Sequence, residues 1–441
     1  MNRNVAEADA TDETATPDEI VRDGELGGLD AARLAAEFGT PFYAYDLDVI
    51  ERVVGRLRAI LTARFDLAYA VKANPALAVV AHLGSLGLGA DVASGGELEL
   101  VRRAGIGSGD VVFTGPGKRD AELEAAVDAG VRAVTVESPG ELARLEAIAA
   151  GRGCRVPVLL RMAVGVGSPP EQVRIVGDAG AGKFGMDADA LGACALRASR
   201  SAHPELLGLH AFGASNVLDA EALAGHAATT MAAARDLAVT LGLELRVIDM
   251  GGGLGIPYER GTPSLDLVAF GAALHRLDAA WSADPVTAAT RVIVEPGRFL
   301  VARAGAFVAR VVDRKCADGS TVVILDGGIH HLLRPALVGQ EHRIVGLGPR
   351  RPGAPSEPVT IVGPLCSGLD VLARGVRMVP PEVGDLVAVL DVGAYGYTES
   401  MPLFLSHPTP AEIAIRGGRV ALIRPRVEPS AWLEPQRLPA W

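Results

Sequence analysis

Lys72 closes an apolar, strand-like run, LAYAVKANP, in a chain that otherwise avoids lysine. Only four of its 42 basic residues are lysines: Lys72, Lys118, Lys183 and Lys315. Arginine meets the need for positive charge elsewhere, so an amine at this strand end stands apart. An amine can lose its proton and condense with an aldehyde to an imine; a guanidinium stays charged and cannot. The bland alternative is a lysine that snorkels from the strand end to water.

Two further strand ends carry complementary chemistry. IDMGGGLG places Gly251, Gly252 and Gly253 directly after an apolar run. A backbone without Cβ atoms can approach a phosphate closely and aim its N–H groups at it. The same glycines also suit a plain tight turn. A dinucleotide-binding reading fits less well, because no acidic residue stands out about twenty positions on, at the end of a second strand. VIVEPGRFLV supplies Glu295, Pro296, Gly297 and Arg298. Glu295 can pair with a protonated ring nitrogen, and Gly297 with Arg298 can hold a phosphate or carboxylate; a local ion pair is the alternative. An imine-forming lysine, a phosphate cradle and an acid for a pyridine nitrogen together describe a pyridoxal phosphate (PLP) site.

Positioning these groups falls to an alternating pattern of short β-branched runs and longer helical segments between about residues 46 and 300. Eight strand candidates end near Lys72, Ser94, Gly115, Glu137, Arg161, His210, Gly251 and Glu295. Eight strand–helix units in that length predict a (β/α)₈ TIM-like barrel, and polar residues at strand C-termini predict one shared mouth. Over residues 301–441 the helical pattern fades into runs such as TVVILDGG and DLVAVLDVG between Gly and Pro turns, which predict a C-terminal antiparallel β domain. Residues 27–45, ending in the strand-like GTPFYAYD, are expected to join that domain. Residues 1–26 are expected to be a disordered acidic tail.

With 441 residues, 49% hydrophobic and 22% charged, the chain can bury a large core. A net charge of −11 and a pI near 5.4 argue against nucleic acid or an anionic membrane as partner. Cys154, Cys194, Cys316 and Cys366 show neither disulfide-framework nor metal-ligand spacing, so no metal is expected and a reducing cytoplasm suits them. The N-terminus lacks an apolar targeting core, and no run reaches the roughly eighteen apolar residues of a membrane span.

The motifs YAVKANP, ADVASGGEL, KFGM, IDMGGGLG, EPGR, GPLCSGLD and DVGAYG, in this order, resemble the barrel-type (fold type III) PLP decarboxylases of the diaminopimelate and ornithine decarboxylase family. The resemblance covers roughly residues 35–425. It implies a homodimer whose two active sites draw on both subunits. It implies that Lys72 bonds the cofactor and Cys366 returns a proton to Cα. Asp91, Arg161, His210, Phe212, Ser215, Gly252, Gly253, Glu295 to Arg298 and Tyr395 then hold the cofactor, while Arg298, Arg334, Ser367 and Tyr395 face the substrate.

This sequence departs from the family's pattern where substrate is gripped. HFHIGS reads HAFGAS, so the histidine that stacks on the cofactor ring corresponds to Phe212, which stacks without a polar edge. The acid after the family's cysteine is Ser367, and the tyrosine ending RPALY is Val338. GGIHH, Gly339–Gln340 and FLSHPTPAE further resemble decarboxylases of carrier-protein-bound amino acids. The leading expectation is therefore α-decarboxylation of a specialised L-amino-acid-like substrate, free or tethered to an acyl carrier protein. The alternatives are meso-diaminopimelate decarboxylase, which Ser367 opposes; an amino-acid racemase, which has no particular use for Cys366; and an inactive regulatory homologue, which has no need to retain Lys72, Cys366, Glu295 and Tyr395 together.

Overall fold

The computed structural model describes residues 19–441 apart from 23, 164–181, 260, 318 and 349–352. Eight strands, Phe65–Ala70, Gly89–Val92, Val111–Phe113, Ala133–Val136, Val156–Met162, Pro204–Ala211, Val247–Asp249 and Arg291–Val294, close into a barrel. All pairings are parallel, and closure is made where Val292 and Val294 pair with Phe65 and Leu67. These are the eight runs the sequence points to. Their apolar character on both faces follows from helices outside and side-chain packing inside; Ala133–Val136, for example, is buried at every residue.

Helix starts are fixed by short polar side chains. Ser94 accepts from the Glu97 N–H at 3.2 Å and Ser138 from the Glu141 N–H at 3.1 Å. Asp219 and Asp266 cap Ala220–Leu241 and Leu267–Ala283 in the same way. Such caps contribute about 1 kcal/mol each. In ASGGEL, Glu97 also turns back to accept from the Ala93 N–H at 2.7 Å. That segment therefore builds a helix start directly beside Asp91.

The second domain is a mostly antiparallel sheet built from strands between Gly305 and Arg424. Two of its pairings are parallel: Ser320–Leu325 with Glu357–Val362, and Phe42–Asp46 with Ala411–Arg416. Phe42–Asp46 precedes the barrel in sequence yet lies inside this sheet, between Ala411–Arg416 and Gly305–Ala317, with all five residues buried. The barrel is thus inserted between the first strand of the β domain and the rest.

Part of the segment expected to be a disordered tail is ordered. Residues 1–18 lie outside the described residues, but Val21–Arg22 pairs antiparallel with Glu25–Leu26, and Ile20 and Leu26 are buried against the β-domain core. Two apolar side chains anchor a segment whose average composition reads as disordered.

Candidate active site

Every barrel strand delivers a polar or charged residue to the C-terminal mouth. A cavity of about 450 Å³ opens there, lined among others by Lys72, Arg161, Phe184, His210, Phe212, Glu295 and Tyr395. That volume lies in the range of small-ligand sites. Lys72 sits in the single turn Val71–Ala73 that follows its strand. Its Nζ lies 3.2 Å from Asp91 Oδ2, and its side chain keeps 43% of its surface accessible on the cavity it lines.

Lys118 makes the useful contrast. Its ammonium is buried and donates at 2.7 Å to Gly115 O, Thr135 O and Glu141 Oε1, so all three of its protons are committed to structure. Lys72 retains donors for something else. Burial alone would lower the Lys72 ammonium, but Asp91, then Glu295 and Tyr395, hold it well above the ordinary lysine value. Asp91 is held in place by the Thr114 hydroxyl, which donates at 2.5 Å.

His210, Asp249 and Glu295 meet on the barrel floor with ligand atoms within 4.8 Å of one another, His210 Nε2 standing 3.6 Å from Glu295 Oε2. Two buried carboxyls this close share a proton in preference to ionising together. Burial and the neighbouring Glu295 push Asp249 well above the usual carboxylate range. Burial works against the Glu295 charge too, but His210, Lys72 and Asp249 outweigh it and hold Glu295 down at about 2. The negative charge therefore rests on Glu295. The trio also has the donor set of a cation site, although the shared proton already relieves the repulsion a cation would relieve.

His210 Nδ1 and Arg298 Nε are buried without a hydrogen-bond partner, and Glu295 Oε1 and Asp249 Oδ2 have none beyond the proton the two carboxyls share. Orphaned polar atoms beside a cavity of this size fit a polar ring bound between Lys72 and Glu295. Arg161 lies on the cavity wall, paired with Glu137 at 2.7 Å and with its guanidinium 4.9 Å from the Phe184 ring centre.

The glycines of both motifs are explained by close approach. A Cβ on Gly252 would lie 2.3 Å from Glu295 O, one on Gly253 2.6 Å from Ala214 O, and one on Gly297 2.9 Å from Ala73 Cβ. Glycine is therefore required by packing, whatever these backbones also bind. Pro296 O accepts from the Ala70 N–H at 3.4 Å, tying EPGR to the strand that carries Lys72.

Ser215 and Arg298 lie in an adjoining cavity of about 240 Å³, with Tyr258, Arg334, Val338 and Gln340. Arg298 Nη1 donates to the Tyr258 hydroxyl at 2.8 Å, and its guanidinium carbon stands 4.7 Å from the Tyr395 ring centre. Tyr395 adopts φ 54°, a costly conformation for a bulky residue. Its N–H donates to Ala73 O at 2.7 Å, and Asn74 Nδ2 donates to Gly393 O at 2.9 Å. The GAYG loop of the β domain is thereby locked onto the Lys72 turn.

Cys366 is exposed and Ser367 half-buried, and neither lines these two cavities. A third cavity, about 520 Å³, opens at the opposite end of the barrel, where Arg132 pairs with Asp66 at 2.6 Å. Sequence reasoning did not assign Asp249, Thr114, Phe184 or Glu399 to the site. Asp249 carried the available signal, a polar residue ending an apolar strand; Glu399 carried none, because it ends the short 3₁₀ turn Tyr397–Glu399, which only the tertiary fold brings to the barrel mouth.

Residues 47–302 match the family model described as pyridoxal-dependent decarboxylase, pyridoxal binding domain. The chain is 33% identical to the L-glutamyl-[BtrI acyl-carrier protein] decarboxylase of Niallia circulans, over 90% of this chain and 94% of that one. It is 34% identical to the diaminopimelate decarboxylase of Methanothermobacter thermautotrophicus, over 94% and 96%. Among solved structures, diaminopimelate decarboxylase from M. jannaschii superposes with a TM-score of 0.88 at 28% identity, covering 95% of this chain and 98% of that one. With a cavity suited to a lysine-bound ring and relatives matched nearly end to end, this chain belongs to the pyridoxal-dependent decarboxylases of fold type III.

Proposed function

We propose that this enzyme removes the α-carboxylate of an L-amino acid whose distal end is uncharged, acylated or tethered to an acyl carrier protein. The observation that carries the reading is Lys72, the one lysine among the described residues lining the cavity, which contacts Asp91 and shares a space of cofactor size with an ionised Glu295. The likeness to a carrier-protein-linked glutamyl decarboxylase supports the substrate class.

Bound pyridoxal phosphate supplies the sink for the electron pair left at Cα when CO₂ departs. In this reading Lys72 would hold the cofactor through its amine. Glu295 would pair with the ring nitrogen, and Asp249 keeps the spare proton of the dyad so that Glu295 stays charged. Phe212, which lines the cavity, would pack against the ring. Asp91, Arg161 and His210 position these groups, and Ser215, Gly252, Gly253 and the Pro296–Gly297–Arg298 turn hold the phosphate. Tyr395 and Arg298 serve both cofactor and substrate.

The cleaved bond is Cα–COO⁻. The Cys366 thiol gives a proton to Cα and recovers one from water. Because Cys366 is exposed and lines neither cavity of its own chain, we assign it to the active site of a partner subunit in a homodimer, with Ser367 beside it. Exposed Leu369, Leu403, Phe404 and Leu405 provide apolar surface for that contact. The described residues contain no helix long and apolar enough to cross a membrane, and the free cysteines fit a cytoplasmic enzyme.

A second reading, meso-diaminopimelate decarboxylase, is favoured by Arg298 and Arg334 in the distal cavity and by relatives of that name. Ser367 and Val338 oppose it. Measuring CO₂ release from a panel of free and carrier-linked amino acids by the PLP-loaded enzyme tests both. Release from a carrier-linked or acylated substrate and little from diaminopimelate is expected; efficient turnover of diaminopimelate overturns the first reading in favour of the second.

A further inference from the structure

The wall between the two cavities is an ion pair. Arg334 lines the smaller, distal cavity and Glu399 the cavity of Lys72. Arg334 Nε lies 2.9 Å from Glu399 Oε2 with its N–H directed off the line of contact, and Nη2 donates to Glu399 Oε1 at 3.4 Å. On its other edge, Arg334 Nη1 donates to Gln340 Oε1 at 3.3 Å. Two of the three guanidinium nitrogens thus donate within the chain, and the third stands in ion-pair contact with Glu399.

Gln340 is held in a single sense. His342 Nδ1 faces Leu390 O at 2.9 Å and must carry the proton, so its Nε2 is an acceptor and takes an N–H from Gln340 Nε2, also at 2.9 Å. The amide oxygen is consequently directed at Arg334 and one amide N–H remains for a ligand. Burial keeps His342 at about 4, so this relay does not reverse near neutrality.

The charge left for a substrate is therefore not that of two free arginines. Glu399 neutralises Arg334, and Glu259 and Glu341 line the distal cavity together with Arg298. A free carboxylate entering here finds its second guanidinium already paired with the half-buried carboxylate of Glu399. Burial already lifts Glu399 above the ordinary glutamate value against the pull of Arg334 and Arg298. A neutral carbonyl needs only donors, and the spare Gln340 N–H and the unpartnered Arg298 Nε can supply them.

We propose that Glu399 and Gln340 are specificity-determining residues that make the distal pocket select an uncharged carbonyl group, an amide, ester or thioester, over a free carboxylate. The proposal deepens the decarboxylase reading and rests on it for the identity of the pocket.

The test uses ligands that cannot be decarboxylated at an α-amino centre, so that its outcome stands apart from turnover. PLP-loaded wild type, Glu399→Gln and Gln340→Glu are titrated calorimetrically with glutarate and with its monomethyl ester. Wild type should bind the ester more tightly. Glu399→Gln frees Arg334 and should move the ester-to-acid ratio towards the acid by on the order of tenfold, the scale of one modest charge interaction. Gln340→Glu places a second carboxylate on Arg334 and should move the ratio further towards the ester. Equal ratios in wild type and Glu399→Gln, or tighter acid binding by wild type, overturn the proposal. Should Glu399→Gln fail to fold, the wild-type and Gln340→Glu ratios decide alone. In parallel, kcat/KM is measured on L-glutamine and L-glutamate γ-methyl ester against L-glutamate. Absence of CO₂ from every amino acid with intact ester selectivity would refute the decarboxylase reading and spare the pocket assignment.

Discussion

The Lys72 cavity and the distal pocket lie on either side of the Arg334–Glu399 pair, and they are built differently. The first is made from the ends of barrel strands, each held in register by its neighbours: Ala70 pairs with Asp91, and His210 with both Arg161 and Asp249. The second adds to the barrel residues Ser215 and Arg298 the short helix Arg334–Val338, the segment after it and the loop carrying Tyr258. Chemistry is positioned by the scaffold, selection by what the scaffold leaves free to vary. An arginine retained in the second region need not keep the job that its charge suggests.

The sharpest way to break this division is to remove the amine. Lys72→Ala should lose covalent cofactor attachment and cut turnover by on the order of 10³-fold or more, as expected for loss of a covalent group. Borohydride reduction of the wild type followed by peptide mapping should place the cofactor on Lys72. An adduct on Lys118, Lys183 or Lys315 would reassign the site.

Cys366→Ala should retain cofactor and release CO₂ from substrate, yet form normal amine about 10²- to 10⁴-fold more slowly, with side products from protonation at the wrong carbon. Mixing Lys72→Ala with Cys366→Ala under subunit exchange should restore about a quarter of full activity, because about half the dimers are mixed and each has one intact site. Exchange without recovery would place both residues in one subunit.

Selection should give smaller effects. Free meso-diaminopimelate, ornithine and lysine should be poorer than the true substrate by roughly 10²-fold in kcat/KM, since Ser367 lacks a charge that would be worth on the order of 2–5 kcal/mol to a distal ammonium. Ser367→Glu should move preference towards diamino acids. A wild-type kcat/KM on diaminopimelate of about 10⁴ M⁻¹s⁻¹ or above would erase the distinction between the two regions.

Acid should separate them by stability. His342 is depressed from 6.5 to about 4, so the folded state takes up its proton later than the unfolded one. Its contribution is complete above pH 6.5 and is lost as pH falls towards 4, by up to roughly 3 kcal/mol. Glu295, held at about 2, keeps its charge throughout that window. Denaturant midpoints across pH 4–7 should therefore fall more steeply in wild type than in His342→Asn, and parallel slopes would remove His342 from the account.

The barrel was legible because its strands are short apolar runs ending in polar residues, and Lys72 because lysine is rare here. Glycine runs, EPGR and the helix-start signal at Ser94 likewise announce local geometry. The anchoring of Ile20 and Leu26 was not legible, since two buried side chains do not change a window's average. Nor was the state of Arg334, whose partners Gln340 and Glu399 lie 6 and 65 residues away and meet it only after the β domain has closed over the barrel.

The placement of Phe42–Asp46 has a consequence for how this chain is made. The strand leaves the ribosome before the whole barrel, but both its neighbours, Gly305–Ala317 and Ala411–Arg416, come after it. Until then its backbone edges are unpaired and FYAYD is an apolar template for other chains. Contacts of such long sequence separation also form slowly. A cut at residue 300 should thus yield two sticky fragments instead of two domains, and co-expression of residues 1–300 with 301–441 should recover soluble protein only if the second fragment arrives while the first strand is still free.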